Sequence, residues 1–147
     1  METFTVASPI GMWDVARAAL LRVTAAQRSG AAVLALSGEL GAGKTAFTQA
    51  LAGVLGASGP VQSPTYVIMK KHQLSGGSAW HTLAHIDAYR LKGAEDVAAI
   101  GWADLIGDPG NLIVVEWPER IEGVLPESAL RLKFEHVSPT VRAVAIG

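Results

Sequence analysis

The sequence of 147 residues contains no cysteine. That absence rules out disulfides, thiolate metal sites and thiol catalysis, and it agrees with a reducing, cytoplasmic setting. An excess of either charge is missing as well: 12 Lys and Arg stand against 13 Asp and Glu, a formal net charge of −1. No global attraction to nucleic acid follows, so contact with RNA would need a local patch or a partner. Long hydrophobic runs are also lacking. The longest, residues 31–36, falls far short of the ~20 residues a membrane span needs, and no membrane association is expected. The opening METFTVASPI carries a Glu and no basic n-region, so no signal peptide is expected there. Repeats, low-complexity tracts and linkers are not visible. What is present is apolar material, 50% of residues against 17% charged. That is enough to fill one core, and the length predicts a single domain over 1–147.

Local signals predict an α/β chain. A short strand is expected at residues 4–6. Ser8-Pro9 then reads as a helix start, a capping hydroxyl followed by a proline whose missing N–H costs nothing there. The helix is expected to run to about Gln27, with Trp13, Ala16, Leu20 and Val23 on its apolar face and Gly30 as the stop. Residues 31–36 read as a strand buried on both faces. A second helix should end at Gly56. Breakers at Gly59-Pro60 and Ser63-Pro64 make residues 57–65 a loop. Residues 66–74 and 80–87 read as strands joined by the turn Ser-Gly-Gly-Ser. A helix broken at Gly101 is expected over 93–106, a buried strand LIVVEW over 112–117, a helical turn over 118–123, and a terminal strand pair at 130–134 and 141–146. Parallel-type strands thus alternate with helices, with an antiparallel hairpin inserted.

Between the first buried strand and the second helix lies Gly38-Glu39-Leu40-Gly41-Ala42-Gly43-Lys44-Thr45, which fits G-x-x-x-x-G-K-[ST]. Its glycines let the backbone curl so that successive N–H groups face one phosphate, and the helix that starts there adds its positive end. Lys44 brings a charge to the outer phosphates, and the Thr45 hydroxyl is placed to hold Mg²⁺. These eight residues therefore predict binding of a nucleoside triphosphate. The motif does not say what is done with it.

A phosphate loop needs an acid for the metal and a sensor for the terminal phosphate. Glu116 follows four apolar residues at a strand end, and Asp87 ends the strand of residues 80–86. Each has a plainer alternative, an acid exposed at a strand end or a cap. Ser63-Pro64-Thr65-Tyr66, between the second helix and the next strand, stands where a switch loop would reach the phosphate, though by itself it reads as a turn. The four histidines, 72, 81, 85 and 136, lack metal-ligand spacing; His81 and His85 are expected on one sheet face. Trp13, Trp80 and Trp102 are expected in or near the core, whereas Trp117 adjoins Glu116 and should sit near the site. Lys70-Lys71 reads as a solvated strand.

The ordered set SGELGAGKT, SPTY, HIDAYRL and VVEWPER, over about residues 31–126, resembles the TsaE family. These are the bacterial ATPases needed to make threonylcarbamoyladenosine in tRNA. The resemblance implies a three-layer P-loop fold, with a mostly parallel central sheet extended by antiparallel strands. It implies ATP and Mg²⁺ as ligands and slow hydrolysis by the protein alone. The implied partners are TsaB and TsaD, with tRNA met only through that complex and ATP hydrolysis resetting it between cycles. Carried over by residue, Gly38 to Thr45 form the ATP site and Lys44 contacts phosphates. Thr45 and Glu116 hold Mg²⁺, Asp87 is the acid needed for hydrolysis, and Thr65 lies in the switch loop. Trp117 and Arg142 are expected beside the nucleotide. The division of roles between Asp87 and Glu116 stays open. The family often has a Thr near the start of the first helix, close to the base, where this chain has Met12; Ala46 replaces a usual second hydroxyl.

Two other functions share the loop. A small-molecule kinase would need an arginine-rich lid, and between Asp87 and Glu116 the only arginine is Arg90. Two acids at strand ends argue against a nucleotide-binding switch without turnover, although sequence alone does not separate such a switch from a slow ATPase.

Overall fold

The computed structural model describes residues 1–26, 28–57, 68–75 and 78–147. Among the described residues, seven strands form one sheet in the order β1-β7-β6-β2-β5-β4-β3. They are β1 (Glu2–Val6), β2 (Ala32–Ser37), β3 (Met69–Gln73), β4 (Thr82–Asp87), β5 (Asn111–Glu116), β6 (Leu130–Ser138) and β7 (Val141–Ile146). The four central strands, β6, β2, β5 and β4, are mutually parallel. Antiparallel β3 closes one edge, and β7 with β1 extends the other. This is the expected mixed architecture.

The layers follow from strand periodicity. On β2 and β5, Leu34, Leu36, Leu112 and Val114 face one core; Val33, Ile113 and Val115 face a second. Helices α1 (Pro9–Ala25) and α2 (Lys44–Leu55) cover the first face. Helices α3 (Ala94–Ala99) and α4 (Trp102–Gly107) cover the second. Successive strand side chains point to opposite faces, so a strand covered on both sides must be apolar throughout. Between α3 and α4 the chain turns at Gly101, whose φ of 77° is left-handed, which is why the helical pattern of this segment breaks there.

Helix α1 starts as expected, with the Ser8 hydroxyl accepting from the Gly11 N–H. Its buried face differs from expectation: Met12, Val15, Ala16, Ala19 and Val23 are buried, while Trp13 and Leu20 are only partly so. The small residues allow α1 to lie close to its neighbours, and the Trp13 ring crosses Gly53 of α2, where a Cβ would meet it at 2.7 Å. Gly30 is not the helix stop. Helix α1 ends at Ala25 with extended backbone at Ala26, and a Cβ at Gly30 would meet the Ile106 carbonyl at 2.2 Å, so a close crossing requires glycine there. The strand expected to end at Trp117 ends at Glu116. Helix α1 thus stops short of the expected end near Gln27; Gln27 itself, most of the 57–65 loop and the glycines of the β3–β4 turn lie outside the described residues. So do Tyr66 and Thr65.

Candidate functional site

The parallel strands point their carboxyl ends the same way, which is where open α/β sheets bind ligands. There the phosphate loop leaves β2 and enters α2. Gly38 has φ 144°, and a Cβ on it would approach the Phe134 carbonyl of β6 to 2.5 Å. The loop is thus laid against β6, over the edge-to-face pair Phe47 and Phe134. Gly41 and Gly43 also take positive φ, and Gly43 caps α2. At the loop tip Glu39 and Gly41 are exposed, Leu40 is 85% exposed, and Ala42 is buried.

Lys44 is not extended into solvent, as a loop residue would be. It is 4% exposed. Its Nζ donates to the Gly38 carbonyl at 2.7 Å and lies 4.0 Å from the centre of the Trp117 ring. Burial lowers its pKa from the ordinary lysine value; Glu116, Glu119 and Asp87 oppose that shift, in falling order. Three carboxylates therefore act on one ammonium. A polyanion suits such a cleft only if it brings a cation with it.

Both acids expected at strand ends meet here. Asp87 and Glu116 are register partners on β4 and β5, on adjacent strands about 4.8 Å apart. Glu116, Lys44 and Thr45 line a cleft of about 240 Å³ together with Leu40, Gly41, Gly43 and Ala46. The Asp87 carboxylate accepts from the Tyr89 N–H at 3.0 Å, capping the short 3-10 turn Ala88–Arg90. Among the described residues no group of three or more His, Asp or Glu could hold a metal ion alone. An ion at Thr45 and Glu116 would share its remaining positions with phosphate oxygens and water, which suits Mg²⁺.

Trp117 follows Glu116 at φ 58°, and it is the one non-glycine residue with positive φ among those described. This conformation costs about 1–3 kcal/mol and persists where surroundings impose it. The ring is held between the Lys44 ammonium and Tyr89, whose ring centre lies 5.2 Å from its own in an edge-to-face pair, with Arg120 over the Tyr89 ring. Arg142 reaches the phosphate loop, but among the described residues its hydrogen bonds go to backbone: Gly41 O at 3.2 Å, Ser138 O at 3.0 Å, Pro139 O at 3.4 Å and Val141 O at 3.3 Å. Beside it opens a larger pocket of about 470 Å³, lined by Met12, Trp13, Gly43, Gln49, Thr140 and Arg142 among others. Met12 is buried, its methyl group close to Gly43, so this side of the pocket is an apolar wall. Thr65 and the rest of the SPTY stretch lie outside the described residues.

Sequence reasoning missed His85. It is fully buried in β4, and its Nε2 donates to Glu116 Oε2 at 2.5 Å. The spacing held a signal: His85 and Asp87 are two apart on a strand and share a face. His72 on β3 is also buried, and burial lowers its pKa, with charge at His85 and Lys70 adding to the effect.

The family model described as "Threonylcarbamoyl adenosine biosynthesis protein TsaE" matches residues 14–144. The chain belongs to the TsaE family. A Streptomyces coelicolor protein named tRNA threonylcarbamoyladenosine biosynthesis protein TsaE is 44% identical over 100 residues, covering 68% of this chain and 66% of its own length. The Haemophilus influenzae protein of that name is 32% identical over 101 residues, 69% of this chain and 61% of its own length. The chain thus spans just under two thirds of these relatives. The Bacillus subtilis TsaE protein is 32% identical, over 86% of this chain and 75% of its own length. The crystal structure of YdiB from Bacillus subtilis superposes with a TM-score of 0.70 at 28% identity, covering 99% of this chain and 83% of that one. The TsaE match takes in α1 from Asp14 onward, the phosphate loop, both acids and Arg142. No helix of this TsaE-family chain, among the described residues, is long and apolar enough to cross a membrane.

Proposed function

We propose that this chain is a Mg²⁺-dependent ATPase of tRNA threonylcarbamoyladenosine biosynthesis, acting with TsaB and TsaD. The observation that carries the proposal is the single cleft where Lys44, Thr45 and Glu116 meet beneath the phosphate loop, with Asp87 in register beside Glu116. Backbone N–H groups from Gly38 to Thr45 hold the phosphates, and Lys44 swings from the Gly38 carbonyl to the outer ones. Thr45 and Glu116 hold Mg²⁺, which neutralises phosphate charge when bound. Asp87 orients the attacking water. The base and ribose occupy the adjoining pocket, where Met12 and Trp13 pack on the base and Arg142 keeps the Gly41 carbonyl turned to itself. Trp117 senses the charge on Lys44. Thr65 supplies a hydroxyl from the switch loop, on the strength of the family resemblance. The hydrolysis resets a TsaB–TsaD complex in the cytoplasm, and tRNA is met through that complex.

The test is phosphate release with ATP alone, with a panel of small acceptors, and with TsaB–TsaD added, alongside capture of TsaB and TsaD with and without ATP. Release should rise when TsaB–TsaD is added. Glu116→Gln and Asp87→Asn should each lower release about 100-fold or more. Phosphorylated acceptor in place of free phosphate would make the chain a kinase, and ATP binding without release under any condition would make it a switch.

A further inference from the structure

His85 stands where a strand has no use for a polar side chain. It lies inside β4 between Ala84 and Ile86, both fully buried, and it is itself 0% exposed. Burying an imidazole among apolar residues is unfavourable unless its hydrogen bonds are made. Here one is made and one is not: Nε2 meets Glu116 Oε2 at 2.5 Å, while Nδ1 has no partner among the described residues. A carboxylate only accepts, so the hydrogen lies on Nε2. A ring that merely filled the core would be better replaced by leucine. The one polar contact it makes is to the acid that lines the phosphate cleft.

The register explains the aim. Asp87 pairs with Glu116 across β4 and β5, and His85 is two residues back on the same face. His85 therefore reaches forward to Glu116 from beneath, on the core side, while Glu116 also borders the cleft with Thr45 and Lys44. The bond engages Oε2 and leaves the other oxygen outside the His85 contact. A free glutamate side chain has three rotatable bonds, and fixing it before a ligand arrives removes an entropic cost of ordering. Lys44 does not do this work, since its ammonium is bonded to Gly38 and stacked on Trp117.

We infer that His85 is a positioning residue: its Nε2–H holds the Glu116 carboxylate in one orientation, with its second oxygen presented to the divalent cation that accompanies the nucleotide. This rests on the proposal that Glu116 faces that cation. Partners of this kind, one shell away from a metal, typically carry about 10–100-fold in metal affinity.

The test uses ATP binding by calorimetry with saturating Mg²⁺ and with EDTA, so that no turnover is needed. For the unaltered chain, Mg²⁺ tightens binding by a measured factor. His85→Leu should lose about 10–100-fold of that gain while its affinity in EDTA stays within about twofold. His85→Gln, whose amide nitrogen reaches close to the place of Nε2, should keep the gain to within about threefold, because the donor and not the ring is what matters. His85→Asn, polar but too short to reach Glu116, should behave as His85→Leu and replaces it if the leucine variant does not fold. A Mg²⁺ gain retained in His85→Leu or His85→Asn overturns the inference, and so does a loss in His85→Gln as large as in His85→Leu. Glu116→Gln separates the two levels of the argument. If it keeps the full Mg²⁺ gain, the placement of the cation at Glu116 is wrong and the role of His85 falls with it. If it loses the gain while the His85 variants do not, only the role of His85 is wrong.

Discussion

Lys44 shows what one residue gains by being held before its ligand comes. Its ammonium is parked on a backbone carbonyl and an aromatic face, both weaker partners than a triphosphate. Lys44→Ala should weaken ATP binding about 10–150-fold, the equivalent of one charge-assisted hydrogen bond at about 1.5–3 kcal/mol. The melting temperature should move by only a few degrees, since the residue belongs to no apolar cluster. Calorimetry and a thermal melt check both, and an unchanged affinity would remove the loop from the function. Trp117 touches the same ammonium, so its fluorescence should report nucleotide. Trp117→Phe should abolish most of the fluorescence change on adding ATP; a change of undiminished size would assign the signal to Trp13 or Trp102. The loop residues were legible because contiguous letters carry their chemistry. The bond from His85 to Glu116 was not, because it joins strands whose register no local pattern states. The burial of Lys44 was illegible for a similar reason: Trp117 covers it from a turn 73 positions on, through a backbone conformation that a tryptophan rarely takes.

At the scale of elements, the strands announced themselves and the helix face did not. Residues buried on both sides must be apolar without interruption, and β2 and β5 show that plainly. Helix α1 carries apolar residues almost all round, so spacing alone did not single out the face with Met12, Val15 and Ala19. Its true orientation is set by α2, where Trp13 needs the bare backbone of Gly53. The junction of β2, the phosphate loop and β6 is the element-level feature most open to test. Gly38 combines positive φ with a near approach to the Phe134 carbonyl, and no side chain relieves either. Gly38→Ala should lower the melting temperature by about 3–10 °C, from a strain of about 1–3 kcal/mol plus the displacement of β6. ATP affinity should fall with it. Gly123→Ala, where an added Cβ meets nothing within 4 Å, is the control and should melt within about 1 °C of the parent. Equal melting of the two variants would show that the loop does not depend on its seat against β6.

The molecule as a whole offers little to a polyanion beyond the cleft at its phosphate loop. Net charge is −1, and many of its cations already have carboxylate neighbours. Arg17 lies 3.5 Å from Asp14, Arg22 3.4 Å from Glu2, Arg131 2.6 Å from Glu122 and Lys133 3.3 Å from Glu135. Such exposed pairs add little stability, but they cancel local potential. Lys70 and Lys71 are exposed side by side on β3, the edge strand, where lysines also discourage pairing with another sheet. Alternation along the strand sends the two to opposite faces, so they do not form one patch. A surface that binds RNA tightly neutralises several phosphates at once, and its affinity falls steeply with salt. The isolated chain at about 150 mM salt should therefore bind tRNA no tighter than the non-specific range of about 10⁻⁴–10⁻⁶ M. Filter binding or fluorescence anisotropy with unmodified tRNA measures it. Sub-micromolar, salt-sensitive binding would place tRNA directly on this chain, and its loss on changing Lys70 and Lys71 to glutamate would locate the contact at the β3 edge.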